Sequence, residues 1–148
     1  VESILYNVVY RSIKYPRYGK WIKDKRAIIA KALEDAKTKD IIEKRDEEFK
    51  KIVGEKVKVF EKELSTKVNK TFFKKMRPKW ASCSIKDNIT VNVLAKYLPE
   101  ETIEYILYHE VAHTIERRHS KIFWNIIGKR FQDYKSREKE LLTYWFTI

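Results

Sequence analysis

The sequence predicts an α+β fold in which a small antiparallel sheet packs on helices. Three observations carry that prediction. Residues 71–76, 80–85 and 89–93 read as short strands, and Ile89-Thr90-Val91-Asn92-Val93 alternates apolar and polar as a half-buried strand does. From Pro99 onward the apolar residues recur instead at three- and four-residue steps, the period of helices with one buried side. The main strand signals precede these helix signals rather than alternating with them, which separates α+β from α/β. The chain has 148 residues, enough to bury one real core.

In chain order, residues 4–13 are dense in β-branched and aromatic side chains and predict a further strand, ended by Tyr15-Pro16-Arg17-Tyr18-Gly19. Trp21 to about Val53 predicts two helices meeting near Thr38. Gly54 is expected to break the pattern, and Val57, Phe60 and Leu64 then belong to a third helix ending near Ser65. Lys86-Asp87-Asn88 supplies a turn before the strand at 89–93. Pro99, Glu100 and Glu101 open a helix, because proline fits a first turn and acids favour its positive end. Its expected buried side is Ile103, Ile106, Leu107, Val111 and Ile115. Ser120 caps a second helix to about Phe131, with Ile122, Phe123, Ile126 and Ile127 inside. A third runs from Arg137 to Phe146. Residues 1–70 are thus a strand and helical scaffold and 71–148 a core region, within one compact domain.

All three histidines of the chain fall within eleven residues, in His109-Glu110-Val111-Ala112-His113 and His119. On a helix, His109 and His113 are turned by about 40° and separated by about 6 Å along the axis, so both imidazoles reach one ion. Zinc takes neutral nitrogen donors in a tetrahedral arrangement, and hydrolytic sites keep one position open. Glu110, beside the first histidine, suits a general base. On an unbroken helix His119 would point about 240° away from His113, so the helix must end or bend before it. The third ligand is then His119, or alternatively Glu138 or Glu140 on the following helix.

Net charge is +12, from 33 basic and 21 acidic residues spread over both halves. Such a surface fits a solvated, heat-tolerant protein or an anionic partner. Between Leu64 and Lys86 the chain is basic without an acid, with Phe72, Phe73 and Trp80 interleaved. Residues 67–79 are therefore a possible nucleic-acid or nucleotide contact, or else the wet face of a hairpin. No run of eighteen apolar residues predicts a membrane span. The N-terminus carries no signal-peptide pattern, and the single Cys83 suits a reducing cytoplasm.

Arg77-Pro78-Lys79-Trp80-Ala81-Ser82-Cys83-Ser84, then Ile89, Asn92 and Tyr105, then His109–His113, His119-Ser120-Lys121-Ile122-Phe123-Trp124 and Asp133-Tyr134-Lys135 together resemble the YgjP-like metallopeptidases, relatives of SprT-like and Wss-type zinc proteases. The family usually has glycine where Ala81 stands. The resemblance implies a zincin-like fold with the site between sheet and helices, one zinc held by His109, His113 and His119, and Glu110 as base. It implies hydrolysis of a peptide or protein substrate. The alternation along 89–93 allows that strand to be a sheet edge on which an extended substrate adds, with Thr90 and Asn92 facing it, or equally an interior or dimer-paired strand; Tyr134 is a further candidate substrate contact. Two other readings accompany it: a metal-dependent nucleotide pyrophosphatase or phosphohydrolase, and a protease recruited to DNA through the basic stretch. Metzincins share the histidine spacing, but Glu116 stands where they have glycine and Met76, the one methionine, precedes the motif.

Overall fold

The computed structural model describes residues 41–148 except Arg77 and Pro78, with positions 27, 30, 31, 34–36 and 39 before them. The expected strand over 4–13, the turn at 15–19 and the junction at Thr38 lie outside the described residues. Contacts divide the chain into two units: Ile41–Arg137, and a second that includes Glu138–Ile148. In the second, Lys39 pairs with Glu140 at 2.7 Å and lies over the Tyr144 ring. Everything described below belongs to the first unit unless stated.

Helix α1 (Asp46–Glu63) begins on Asp46, Glu47 and Glu48 and buries Phe49, Val53, Val57 and Phe60, one stripe at three- and four-residue steps. Residues 41–45 before it are not helical. The expected break at Gly54 does not occur, because Gly54 sits in open space inside α1. Glycine there costs about 1 kcal/mol relative to alanine, less than the burial of any one of the four stripe residues contributes at roughly 1.5–3 kcal/mol each. The helix stops where Ser65 turns left-handed at φ 51°. The Ser65 N–H donates to the Lys62 carbonyl and the Thr66 N–H to the Glu61 carbonyl, a Schellman closure.

Strands β1 (Lys70–Lys74), β2 (Ala81–Cys83) and β3 (Asn88–Asn92) form one sheet in the order β1-β3-β2. The α+β class holds, but the sheet is mixed rather than antiparallel: β2 pairs antiparallel with β3, and β1 pairs parallel with it. The reason lies in Asn92. Its carboxamide donates to the Met76 and Lys79 carbonyls and accepts from the Met76 and Leu94 N–H groups. That fastens the β1–β2 connection across the end of β3, so β3 fills the gap between two splayed strands, and β2 with its flanks serves as the crossover that parallel pairing requires.

One sheet face, with Ile89, Val91 and Ala81, is buried. Phe73 on that face packs edge-on against Phe49 of α1, with ring centroids 5.8 Å apart. After a 3-10 turn at Val93–Tyr97 comes α2 (Glu100–Ala112), which packs on α1 and on β2. Its Ile103, Ile106, Leu107 and Val111 are buried as expected, whereas Ile115 lies past the helix end and is 48% exposed. Helix α3 (Lys121–Arg130) buries Phe123 and Ile127; Ile122, expected inside, is 62% exposed. Helix α4 (Tyr134–Thr147), whose residues from Glu138 onward belong to the second unit, starts one turn earlier than expected. Among the described residues no helix is long and apolar enough to cross a membrane.

Candidate metal centre

Helix α2 carries His109 and Glu110 in its last turn and ends at Ala112, with His113 as its C-cap. The backbone then winds down in tight turns, Thr114 donating to Val111 and Ile115 to Ala112 at 3.0 Å each. Ser120 starts α3, its hydroxyl accepting from the Phe123 N–H. This is the break that a convergent His119 requires. Nε2 of His119 lies 3.0 Å from Nε2 of His109 and 3.2 Å from Nε2 of His113. Donors at about 2.0–2.1 Å from a tetrahedral ion stand roughly 3.3–3.4 Å apart, so both distances to His119 are close to that spacing, and all three donors lie within 4.8 Å of one another. Among the described residues these three histidines form the one group of donors able to share a metal.

The second ring nitrogen of His113 fixes how the first is used. Nδ1 lies 3.0 Å from the Glu116 carbonyl, which can only accept, so the proton is on Nδ1 and Nε2 presents its lone pair to the other two rings. Burial pulls the His113 pKa below its ordinary value, which keeps the ring neutral. Phe123, fully buried, is the floor of the site. It stacks on His113 at 4.4 Å and meets His109 and His119 edge-on at 4.8 and 4.9 Å. Trp124 stacks on His119 at 5.6 Å, and Tyr134 stacks on Trp124 at 4.9 Å. Glu110, next to His109 in the same turn, is only 9% exposed.

The loop between His113 and His119 is held from outside. Arg117 donates to the carbonyls of Ser84 at 2.6 Å and Ile85 at 3.2 Å and pairs with the Asp87 carboxylate, so its guanidinium grips the β2–β3 turn. At the loop's other end Thr114 Oγ1 meets Thr66 Oγ1 at 2.6 Å, just after the closure of α1.

A family model for a YgjP-like, metallopeptidase domain matches residues 11–144. The chain belongs to this family. Two of the solved structures similar to it are metallopeptidase zymogens. The metallopeptidase zymogen of Pyrococcus abyssi, abylysin, is 27% identical, with a TM-score of 0.52 over 60% of this chain and 88% of that one. The metallopeptidase zymogen of Methanocaldococcus jannaschii, jannalysin, is 28% identical, with a TM-score of 0.52 over 71% of this chain and all of that one. Among curated proteins none matches. A metal-dependent protease is what the family and both neighbours support.

The remaining residues of this YgjP-like chain stand as follows. Arg77 and Pro78 of the family motif lie outside the described residues. Ala81, where the family usually has glycine, is buried in β2 with no left-handed backbone, so the methyl is accommodated as ordinary packing. β3 is the central strand, so both its edges are already paired and an added strand on β3 is ruled out. Asn92 is fully buried in its knot of backbone bonds, and Thr90 lies on the sheet face turned away from Ile89 and Val91. Tyr134 is one ring removed from His119, with Trp124 between them. Cys83 is half-buried beside Arg117, outside the histidine group. Burial pushes its thiol pKa up, and the nearby Glu110 charge adds to that. The sequence reading missed the grip of Arg117. A basic residue two positions before a histidine carries no signal of its own until the turn it binds is in place.

Proposed function

We propose that this chain is a zinc-dependent endopeptidase in which His109, His113 and His119 hold one zinc ion and Glu110 is the general base. The observation that carries the reading is the approach of the His109 and His113 Nε2 atoms to 3.0 and 3.2 Å from Nε2 of His119, with Glu110 next to the first ligand. Three imidazoles are a donor set for zinc rather than for magnesium, which seeks oxygen, and this favours peptide over phosphate-anhydride hydrolysis. When bound, zinc polarises the scissile carbonyl and acidifies water. The Glu110 carboxylate takes the proton of the attacking water and returns it to the leaving amine. The Phe123 floor and the His113–Glu116 bond hold the rings in orientation, so little is lost in ordering them on binding.

The substrate lies extended along the edge of β2 that pairs with no strand among the described residues. Asn92 N–H donates to the Trp80 carbonyl and Ser84 N–H to the Asn88 carbonyl. By antiparallel alternation the backbone groups of Trp80, Ser82 and Ser84 therefore face β3, and those of Ala81 and Cys83 face outward beside α2. A peptide strand added there gains main-chain bonds with little demand on its sequence.

The test is a pair of variants. Glu110→Gln should keep one zinc per chain by elemental analysis while peptide cleavage falls by about 10²–10⁴-fold. His119→Ala should lose zinc or bind it far more weakly. Undiminished cleavage in Glu110→Gln would remove that residue from the chemistry, and wild-type protein that takes up no zinc at neutral pH would overturn the whole reading.

A further inference from the structure

The face of the sheet turned away from the buried Ile89 and Val91 remains without a role in the peptidase reading. Lys70, Phe72 and Lys74 alternate out of β1 on this face. Phe72 stands in register with Thr90, and Thr90 with Ser82. One row thus crosses all three strands, aromatic at one end and hydroxylic at the other, over roughly 10 Å. The two lysines stand along β1 on either side of it, about 13 Å apart. Phe72 is 47% exposed, while its neighbour Phe73 is turned inward onto Phe49. No residue of the three strands is acidic. The nearest carboxylate in sequence, Asp87, is neutralised by Arg117. Lys70 and Lys74 form no ion pair with any described residue, in contrast to Lys56 and Lys96, which each bridge two carboxylates. Lys75 and Lys79, also exposed, extend the positive charge along the β1–β2 connection.

We propose that this outer sheet face binds single-stranded nucleic acid, with Phe72 stacking on an unpaired base and Lys70 and Lys74 contacting the flanking phosphates. Cations alone would suit any polyanion. An exposed ring seated between two cations that pair with no described residue, beside hydroxyl groups that read sugar or base edges, uses what a single strand offers: a flat face between charges. An acidic peptide has no use for the ring, and a duplex keeps its bases stacked out of reach. The face is separated from the histidines by the sheet itself, so nucleic acid and peptide would bind independently.

The experiment is fluorescence anisotropy of a labelled oligothymidylate with the full zinc-loaded chain, across a salt series. Binding is expected at low salt, with log affinity falling linearly in log salt. Phe72→Ala should weaken it at least about five-fold and leave the slope unchanged. Lys70→Gln with Lys74→Gln should reduce the slope by about 1.4, the share of two phosphates on a single strand. All three side chains are exposed, so zinc content and circular dichroism should be unaltered, which separates a lost contact from a lost fold. Absence of binding at low salt overturns the proposal. So does binding that is indifferent to these variants, equal competition by duplex of the same length, or equal displacement by polyglutamate with the same Phe72 dependence, which would give the face to an acidic protein.

Discussion

At the scale of single residues, the site rests on side chains that do more than one task. Phe123 is both the buried anchor of α3 and the surface on which three imidazoles lie. Phe123→Ala should therefore lower stability by about 3–5 kcal/mol and also weaken zinc binding, read by chelator competition under conditions where the fold persists. Phe123→Leu should recover much of the stability and less of the affinity. Cys83 offers a separate check on the electrostatics beside Glu110. Because burial raises its pKa, alkylation by iodoacetamide at pH 8 should be slower than for an ordinary thiol, with the rate profile centred above the usual 9. Arg117 opposes that shift, so Arg117→Ala should move the profile further up. A midpoint below 9 would mean that the Arg117 charge outweighs burial at this thiol.

At the scale of elements, short terminations place the ligands. Ser120 begins α3 directly after His119, and Ser120→Ala should cost about 1 kcal/mol of unfolding free energy in a denaturant titration. Ser65 closes α1 in a left-handed conformation that costs a non-glycine residue about 1–2 kcal/mol. Ser65→Gly should thus stabilise, by up to about 1 kcal/mol once the greater freedom of glycine in the unfolded chain is deducted. Arg117 ties the His113–His119 loop to the β2–β3 turn. Its removal should weaken zinc binding through a looser His119, with Arg117→Lys recovering little, because one ammonium cannot reproduce a planar group bonded to two carbonyls and a carboxylate. The start of α3 was legible from Ser120 because a cap acts within one turn. The continuity of α1 through Gly54 was not legible: the stripe that outweighs glycine counts only once α1 has a sheet and α2 to pack on.

At the scale of the molecule, ion networks and the metal join elements distant in sequence. Arg130 of α3 bonds Glu63 at the end of α1 and Glu104 of α2, and its guanidinium lies over the Phe60 ring. With Lys56 reaching Glu100 and Glu104, this makes a network rather than isolated surface pairs. The histidine centre likewise joins the end of α2 to the approach to α3, so metal should act as a stabilising ligand of the folded state. Chelation is expected to lower the melting temperature, and zinc at about a hundred times its dissociation constant should restore about 2.7 kcal/mol. An unchanged melting temperature on removal of bound zinc would mean that the three histidines are held by packing alone.

The sequence by itself pointed to His109 and His113 as a pair and left the third partner open between His119 and Glu138 or Glu140; the structure brought His119 to them. Helical spacing brings His109 and His113 together, the cap at Ser120 forces a break, and both effects are local, acting over one or two turns. The sequence also determined the α+β class, since period two and period 3.6 are written into runs of a few residues. Only the tertiary structure decided the order of the strands, and with it which edge and which face of the sheet are left unpaired among the described residues. Strand order depends on where a chain can cross, and here one buried carboxamide, Asn92, binds backbone groups from both ends of the β1–β2 connection. Nothing in the local pattern of β1, β2 or β3 encodes that crossing, because the bonds that fix it form only after the three strands have come together.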